Sequence, residues 1–395
     1  MRDAVIVSGA RTPLGSFGGA FKDVSATDLG AVAIKAALER AGIRPAQVDE
    51  VIFGNVLQAA EAGYAPRLAA LRAGIPAEVP AINVNRVCSS GLEAINIAAQ
   101  MVRTGELDIA VAGGTESMSE APFLLDNRAR FDGFKMGEFK MRDSMVEGLT
   151  CPVNRYHMGV GAENITERYE ISRADQDALA LASHQRAVSA AKEGRFKSQI
   201  APVSVPQRKG DPIVVSADEG PRPDTSMDKL SKLKPVFKPN GTVTAGNAAS
   251  INDGAAAVVV MSAEKAASLG IKPRLRWHTR GVAGVDPAMF GTGPVPAVRS
   301  ALKKAGMTMK NIDLIELNEA FAVQALYCIR ELGMDQDRTN TVGSGISLGH
   351  PLGATGAIMT VKLMEELSSR DGSLGLVTMC VGGGQGVATI FERVG

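Results

Sequence analysis

One stretch of this chain occurs twice, and that repetition constrains the fold more than any single motif. The first copy runs from Ile34 to Asn55: a helix through Ala36-Ala37-Leu38-Glu39-Arg40-Ala41 is closed by Gly42, and the strand Val48-Asp49-Glu50-Val51-Ile52-Phe53-Gly54 follows. A second copy begins near Val298, where Ser300-Ala301-Leu302-Lys303-Lys304-Ala305-Gly306 precedes Ile312-Asp313-Leu314-Ile315-Glu316-Leu317. Leu302 follows Leu38, and Asp313 follows Asp49, by the same 264 positions. Further on, a helix led by Cys88 (Ser89 to Thr104) is matched by one led by His350, 262 positions later, which runs to Leu367 with a proline near its start. Each is followed by an apolar strand ending in glycines, Leu107 to Gly114 and Leu374 to Gly384. Alternating strands and helices predict an α/β fold of two copies with mostly parallel, doubly wound sheets. Packed about a pseudo-twofold axis, equivalent helix N-termini meet, and Cys88 is brought to His350.

The repeat also exposes an insertion. Two residues separate Gly384 from Val387, whereas 140 separate Gly114 from the matching strand at Ala255. Three units are therefore expected: an N-terminal half (1–119 and 245–270), an inserted segment (120–244) and a C-terminal half (271–395). The insert is irregular apart from one amphipathic helix, which opens on the capping pattern Ser172-Arg173-Ala174-Asp175 and ends near Glu193. Lys209, Arg222, Lys229, Lys232 and Lys234 gather near its end, a field that suits a phosphorylated ligand as well as it suits a solvated face.

A cysteine at a helix N-terminus gains from free N–H groups and the helix dipole, which favour the thiolate. Most intracellular cysteines are nevertheless small buried hydrophobes, and on spacing alone that packing reading of Cys88 prevails over the catalytic one. The four cysteines (Cys88, Cys151, Cys328, Cys380) form no CxxC pair, which argues against zinc and against a disulfide framework and makes a reducing cytoplasm the expected compartment. A net charge of +1 gives no reason to expect nucleic acid as a partner. With no charged-then-apolar leader at Met1 and no apolar run of spanning length, a membrane is not expected either.

Around each of these candidates the chain resembles the thiolases, acyl-CoA:acetyl-CoA C-acyltransferases, over essentially its full length. The resemblance rests on Ala10-Arg11-Thr12-Pro13, Asn85 to Gly91, Gly113 to Met118, His157-Met158-Gly159, Gly241 to Asn247, Asn318-Glu319-Ala320-Phe321, Gly349 to Gly353 and Cys380 to Gly384. It implies a duplicated five-layered αβαβα fold with an inserted loop domain over coenzyme A. It also implies roles. Cys88 would be the acylated nucleophile and His350 the base that takes its proton. Cys380 would exchange a proton with C2 of the acetyl group. His350 and a water on Asn318 would hold the enolate oxygen, and the N–H groups of Cys88 and Gly382 the tetrahedral intermediate. The implied reaction is reversible Claisen condensation of two acetyl-CoA to acetoacetyl-CoA and CoA, with no cofactor and no metal, in a homo-oligomeric dimer or tetramer.

Substrate positions carry over less evenly. His157, Met158, Phe237 and Phe321 match the acyl and pantetheine tunnel, and Arg222 a position near the adenine. Ala249 stands where a serine is usual, with Ser250 one residue on. Phe290 stands where short-chain members commonly have methionine, and Gly343-Ser344-Gly345-Ile346-Ser347 replaces Gly-Gly-Ala-Ile-Ala. Acetoacetyl-CoA is the favoured substrate, with longer 3-oxoacyl chains the alternative. A decarboxylating ketosynthase would not need Cys380, and a non-catalytic acyl-CoA-binding protein would be expected to lack one of Cys88, His350 or Cys380. Cys151, Cys328, His184 and His278 fit no motif and read as structural. Asn164-Ile165-Thr166 is a sequon without a secretory signal, and Gly343-Ser344-Gly345 lacks the spacing of a dinucleotide fingerprint.

Overall fold

The computed structural model describes residues 1–58, 60–134, 136 and 140–395. Its halves share one plan. In the first are strand β1 (Ala4–Arg11), helix α1 (Ala26–Ala41), β2 (Glu50–Gly54), β3 (Ala81–Val84), α2 (Ser90–Thr104) and β4 (Ile109–Ser117). From the insert come α3 (Met158–Tyr169) and α4 (Arg173–Lys192), after which β5 (Asn252–Ser262) rejoins the sheet. The second half has β6 (Leu275–Gly284), α5 (Pro294–Ala305), β7 (Leu314–Leu317), α6 (Ala322–Leu332), α7 (Thr355–Ser369), β8 (Leu374–Val381) and β9 (Gln385–Arg393).

Strand order is β3-β2-β4-β5-β1-β6-β9-β8-β7, and Thr339 bridges Ile315 where β3 pairs β2 in the other half. The order reads the same from either end, as duplication requires. The repeated residues do the same work in both copies. Asp49 accepts the N–H groups of Asp108 and Ile109 at 2.7 and 2.8 Å, and Asp313 those of Ser373 and Leu374 at 2.8 and 2.9 Å, so each aspartate caps the start of the neighbouring strand. Gly42 and Gly306 end their helices at φ 66° and 65°, the left-handed region where a glycine carries no Cβ penalty.

The expectation of mostly parallel sheets does not hold. β2 pairs β3 and β4 in parallel and β7 pairs β8 in parallel, but β1–β5, β5–β4, β6–β9, β8–β9 and the β1–β6 seam are antiparallel. The cause is the link after each glycine-ended strand. A tight turn at 382–384 sends β9 back along β8, and the insert returns β5 along β4 in the same sense, so neither link is a helical crossover.

Strand alternation builds the five layers. In β5, Ala256, Val258 and Val260 face the central core, while Ala255, Ala257, Val259 and Met261 face the outer one under α1. Helices α2 and α7 fill the centre between the two halves of the sheet, and α5 and α6 cover the second half's outer face. The helix from the insert begins as its sequence signals: Ser172 Oγ accepts the Asp175 N–H. Apolar residues of 120–244 join all three cores, Leu179 and Ile165 among α5 and α6, Phe196 in the centre, and Val203 under α1.

The central helices touch at their N-termini, as the pseudo-twofold implies. A Cβ on Gly356 would lie 2.5 Å from Leu92 N, and one on Gly91 2.8 Å from Gly353 O. Backbone cannot yield as a side-chain tip can, so Gly356→Ala is expected to lower stability by about 2–3 kcal/mol. Denaturant unfolding reads this directly; an unchanged midpoint would show that the helices separate without cost.

Candidate active site

Above the junction of α2 and α7 lies a largely apolar cavity of about 550 Å³. Cys88, His157, Met158, Phe237, Ala249, Ser250, Phe290, Phe321, His350, Cys380 and Gly382 all line it. Asn318 stands directly behind the wall. Arg222 does not reach the cavity; it is exposed on the insert, and its N–H donates to His184 Nδ1 at 3.3 Å. The surrounding cations are partly neutralised, Lys229 by Asp224 at 2.6 Å and Lys232 by Asp228 at 2.7 Å.

Cys88 sits in a turn ahead of α2, which starts two residues later. Val87 is held at φ 46°, unusual for a β-branched residue and worth about 1–3 kcal/mol of strain. Asn85 Oδ1 accepts the Val87 N–H at 3.0 Å, and Ser90 Oγ accepts the Arg86 N–H at 2.9 Å while donating to Val87 O at 2.6 Å. The thiol is half-buried and faces the cavity. Burial pushes it up to about 11 despite the N–H groups of Gly382 and Cys88 that favour the thiolate. Desolvation outweighs those donors, so at this helix start the thiol is raised rather than lowered.

His350 precedes α7 by a full turn, because Pro351-Leu352-Gly353-Ala354 intervene before the helix opens at Thr355. Its N–H donates to Asn252 Oδ1 at 3.0 Å, its Nδ1 lies 2.7 Å from Thr355 Oγ1, and its Nε2 lies 3.3 Å from Asn318 Nδ2. Burial lowers its pKa to about 4, so the imidazole is neutral and able to accept a proton. Cys380, buried at the end of β8, is pushed well above the ordinary thiol range, first by burial and then by the nearby Cys88 and Cys328 sulfurs.

These directions fix a pH dependence. A thiol at about 11 beside an imidazole at about 4 gives a thiolate fraction that climbs through the neutral range. Iodoacetamide labelling of Cys88, followed by peptide mass spectrometry, is expected to accelerate about tenfold per pH unit from roughly pH 7 to 10. A plateau near neutrality would instead mean a stabilised thiolate.

In Gly382-Gly383-Gly384 the glycine requirement falls on the last two residues. Gly383 and Gly384 have φ 80° and 88°, whereas a Cβ on Gly382 would meet only Val87 and Met158, at 3.4 and 3.6 Å. His157 caps α3, its Nδ1 accepting the Gly159 N–H at 3.1 Å, and its ring stacks on Phe237 with centroids 4.6 Å apart. Phe321 meets Phe237 and Phe290 edge-on at 6.2 and 6.1 Å, and Gly161 leaves room for the Phe290 ring. The Ser250 hydroxyl donates to Asn252 Oδ1 at 2.8 Å, which leaves its lone pairs for the cavity.

Sequence reading passed over three side chains that hold this site: Asn252, Thr355 and Glu116. Buried Glu116 accepts the N–H groups of Val56, Leu57 and Gly353 at 3.0, 3.1 and 2.8 Å, stitching the two halves behind Cys88. Burial raises its carboxyl to about 7 against the pull of those donors. Cys380 lies 264 positions after Glu116, so the repeat register itself pointed to it.

A thiol and a neutral imidazole lining one apolar cleft are the parts of a thiol-dependent group-transfer enzyme. Residues 4–264 match the thiolase N-terminal domain family and residues 271–393 the thiolase C-terminal domain family. The chain belongs to the thiolase family and is an acyltransferase. A probable acetyl-CoA acyltransferase of Staphylococcus aureus and an acetyl-CoA acetyltransferase of Pseudomonas aeruginosa are each 50% identical to it over 394 residues, covering 100% of both chains. The crystal structure of the Bacillus anthracis acetyl-CoA acetyltransferase superposes with a TM-score of 0.97 at 43% identity, covering 100% of this chain and 99% of that one. Human mitochondrial 3-ketoacyl-CoA thiolase in complex with CoA gives 0.95 at 43%, covering 100% and 98%.

Proposed function

We propose that this protein is an acetyl-CoA C-acetyltransferase that joins two acetyl-CoA into acetoacetyl-CoA and CoA, and runs the reverse thiolysis, by a ping-pong mechanism. The carrying observation is that Cys88, His350, Cys380 and Gly382 line one cavity, with Asn318 on His350 Nε2. Cys88 Sγ attacks the thioester carbonyl and its proton passes to His350 Nε2; that proton leaves with the departing CoA sulfur, and the acyl group stays on Cys88. In the second half-reaction the Cys380 thiol first gives its proton to the free His350 Nε2, and the thiolate so formed takes a proton from C2 of acetyl-CoA. The carbanion attacks the acyl carbon, the Cys88–acyl bond breaks, and the proton held on His350 passes to the departing Cys88 sulfur. Thiolysis reverses this: the Cys380 thiol, its resting form, protonates the leaving carbanion. His350 and a water on Asn318 hold the enolate oxygen, and the Cys88 and Gly382 N–H groups hold the tetrahedral oxyanion.

Coenzyme A enters along His157, Met158, Phe237, Ala249, Ser250 and Phe321, with its adenine end towards Arg222. No metal and no cofactor beyond the CoA thioesters is required in this reading. The acetyl preference rests on the buried Phe290 ring and on the names of the relatives. Longer 3-oxoacyl chains form a second reading, favoured by the apolar walls that Met118, Leu149 and Leu352 add to the cavity. Assaying acetoacetyl-CoA plus CoA beside 3-oxohexadecanoyl-CoA and malonyl-CoA separates these readings. Acetoacetyl-CoA is expected to be cleaved with the highest kcat/KM; preference for the long chain overturns the acetyl reading, and decarboxylation of malonyl-CoA overturns the thiolytic one.

A cytoplasmic homodimer or tetramer completes the proposal. Edge strand β3 carries exposed Ile82 and an Asn83 amide that has no hydrogen-bond partner among the described residues, whereas Thr339 covers the equivalent edge of the second half. Among the described residues no helix is long and apolar enough to cross a membrane.

A further inference from the structure

We propose that Thr355 is the positioning residue of the site: it fixes His350 as the Nδ1–H tautomer and so presents an unprotonated Nε2 to Cys88. The inference rests on the reading of His350 as the base. Its geometry is independent of that reading.

Thr355 Oγ1 lies 2.7 Å from His350 Nδ1 and 2.8 Å from Pro351 O. A carbonyl oxygen only accepts, so two oxygens this close need the hydroxyl proton between them. Thr355 has one such proton and gives it to Pro351, so the proton on the other contact belongs to Nδ1. Were the hydroxyl turned to Nδ1 instead, lone pairs of Oγ1 and of Pro351 O would face each other at 2.8 Å. On the opposite side of the ring, Asn318 Nδ2 lies 3.3 Å from Nε2 and donates to its lone pair. Every close contact around the imidazole then holds one proton, in the order His350 Nδ1–H, Thr355 Oγ1–H, Pro351 O. Both His350 and Thr355 are buried, so the relay is shielded from bulk water.

The helix start supplies this device in both halves. Ser90, first residue of α2, accepts from Arg86 N and donates to Val87 O, fixing the turn that carries Cys88. Thr355, first residue of α7, does the same for the turn that carries His350, but accepts from a ring nitrogen instead of an amide. The proton taken from Cys88 Sγ enters at Nε2 and is returned from Nε2 to the departing CoA sulfur; Nδ1–H is unchanged throughout. While the ring is cationic, the Thr355 oxygen and the Pro351 carbonyl behind it face its positive charge.

The protein has only four histidines, so 15N-histidine labelling reads the His350 ring directly, with His350→Asn assigning its signals. The wild-type protein is expected to show the Nδ1–H pattern. Thr355→Val removes the acceptor while keeping the shape; it is expected to lose that pattern and to slow acetylation of Cys88 by acetyl-CoA about 100-fold or more at an unchanged Tm. Thr355→Ser is expected to restore both. An Nε2–H pattern in the wild-type protein overturns the proposal even if the valine variant fails to fold, as does a valine variant that keeps the pattern or the acetylation rate. Acetylation at full rate in His350→Asn would instead remove the base reading and leave the tautomer result standing.

Discussion

Replacing Cys88 by alanine is expected to leave a folded protein that still binds coenzyme A and turns over acetoacetyl-CoA at least about 10⁴-fold more slowly. The large effect follows from position. Cys88 opens onto the cavity from a turn whose strain and hydrogen bonds fix its direction, and Cys151 and Cys328 do not line that cavity, so neither stands in for it. The structural loss is small, because a half-buried sulfur contributes about 1 kcal/mol of packing. Incubation with acetyl-CoA followed by intact-mass measurement should show one acetyl group on the wild-type protein and none on the variant. Full turnover by a folded Cys88→Ala protein would falsify the nucleophile assignment.

Cys380→Ser divides the reaction in two. The variant is expected to acetylate Cys88 at close to the normal rate, yet to exchange C2 hydrogens of acetyl-CoA with deuterated water, and to condense, about 10²- to 10⁴-fold more slowly. A serine hydroxyl is nearly the same shape but a far weaker acid, so the second half-reaction alone suffers. Because Cys380 lies among apolar residues of the outer face of β8 and β9, including Leu376 and Ile390, a hydroxyl there costs some stability. Melting beside the wild-type protein separates that cost from catalysis, and normal deuterium exchange in a folded variant would remove Cys380 from the chemistry.

Much of the fold was legible because the chain states it twice. Helix-ending Gly42 and Gly306, strand-capping Asp49 and Asp313, and the meeting of α2 with α7 all follow from local rules applied in one register. Strand direction was not legible. Whether β4 and β8 are followed by a crossover or by an antiparallel return depends on where the chain goes after the glycines, and glycine permits either.

The site divides in the same way. The family resemblance singled out Cys88, His350, Cys380 and the residues of the tunnel, and they line one cavity. It did not set their protonation. A helix N-terminus favours a thiolate, but only the packed cavity decides that desolvation is the larger effect and leaves a thiol. Nor did it show the partners of Asn252, Glu116 and Arg222, which come from segments far apart in the chain. By itself the sequence determined the duplication and the helix caps and named the candidate side chains, because those depend on neighbours within a few residues or on short motifs. Tertiary structure alone decided strand direction, burial and proton placement, because hydrogen-bond partners and dielectric are properties of space rather than of the chain.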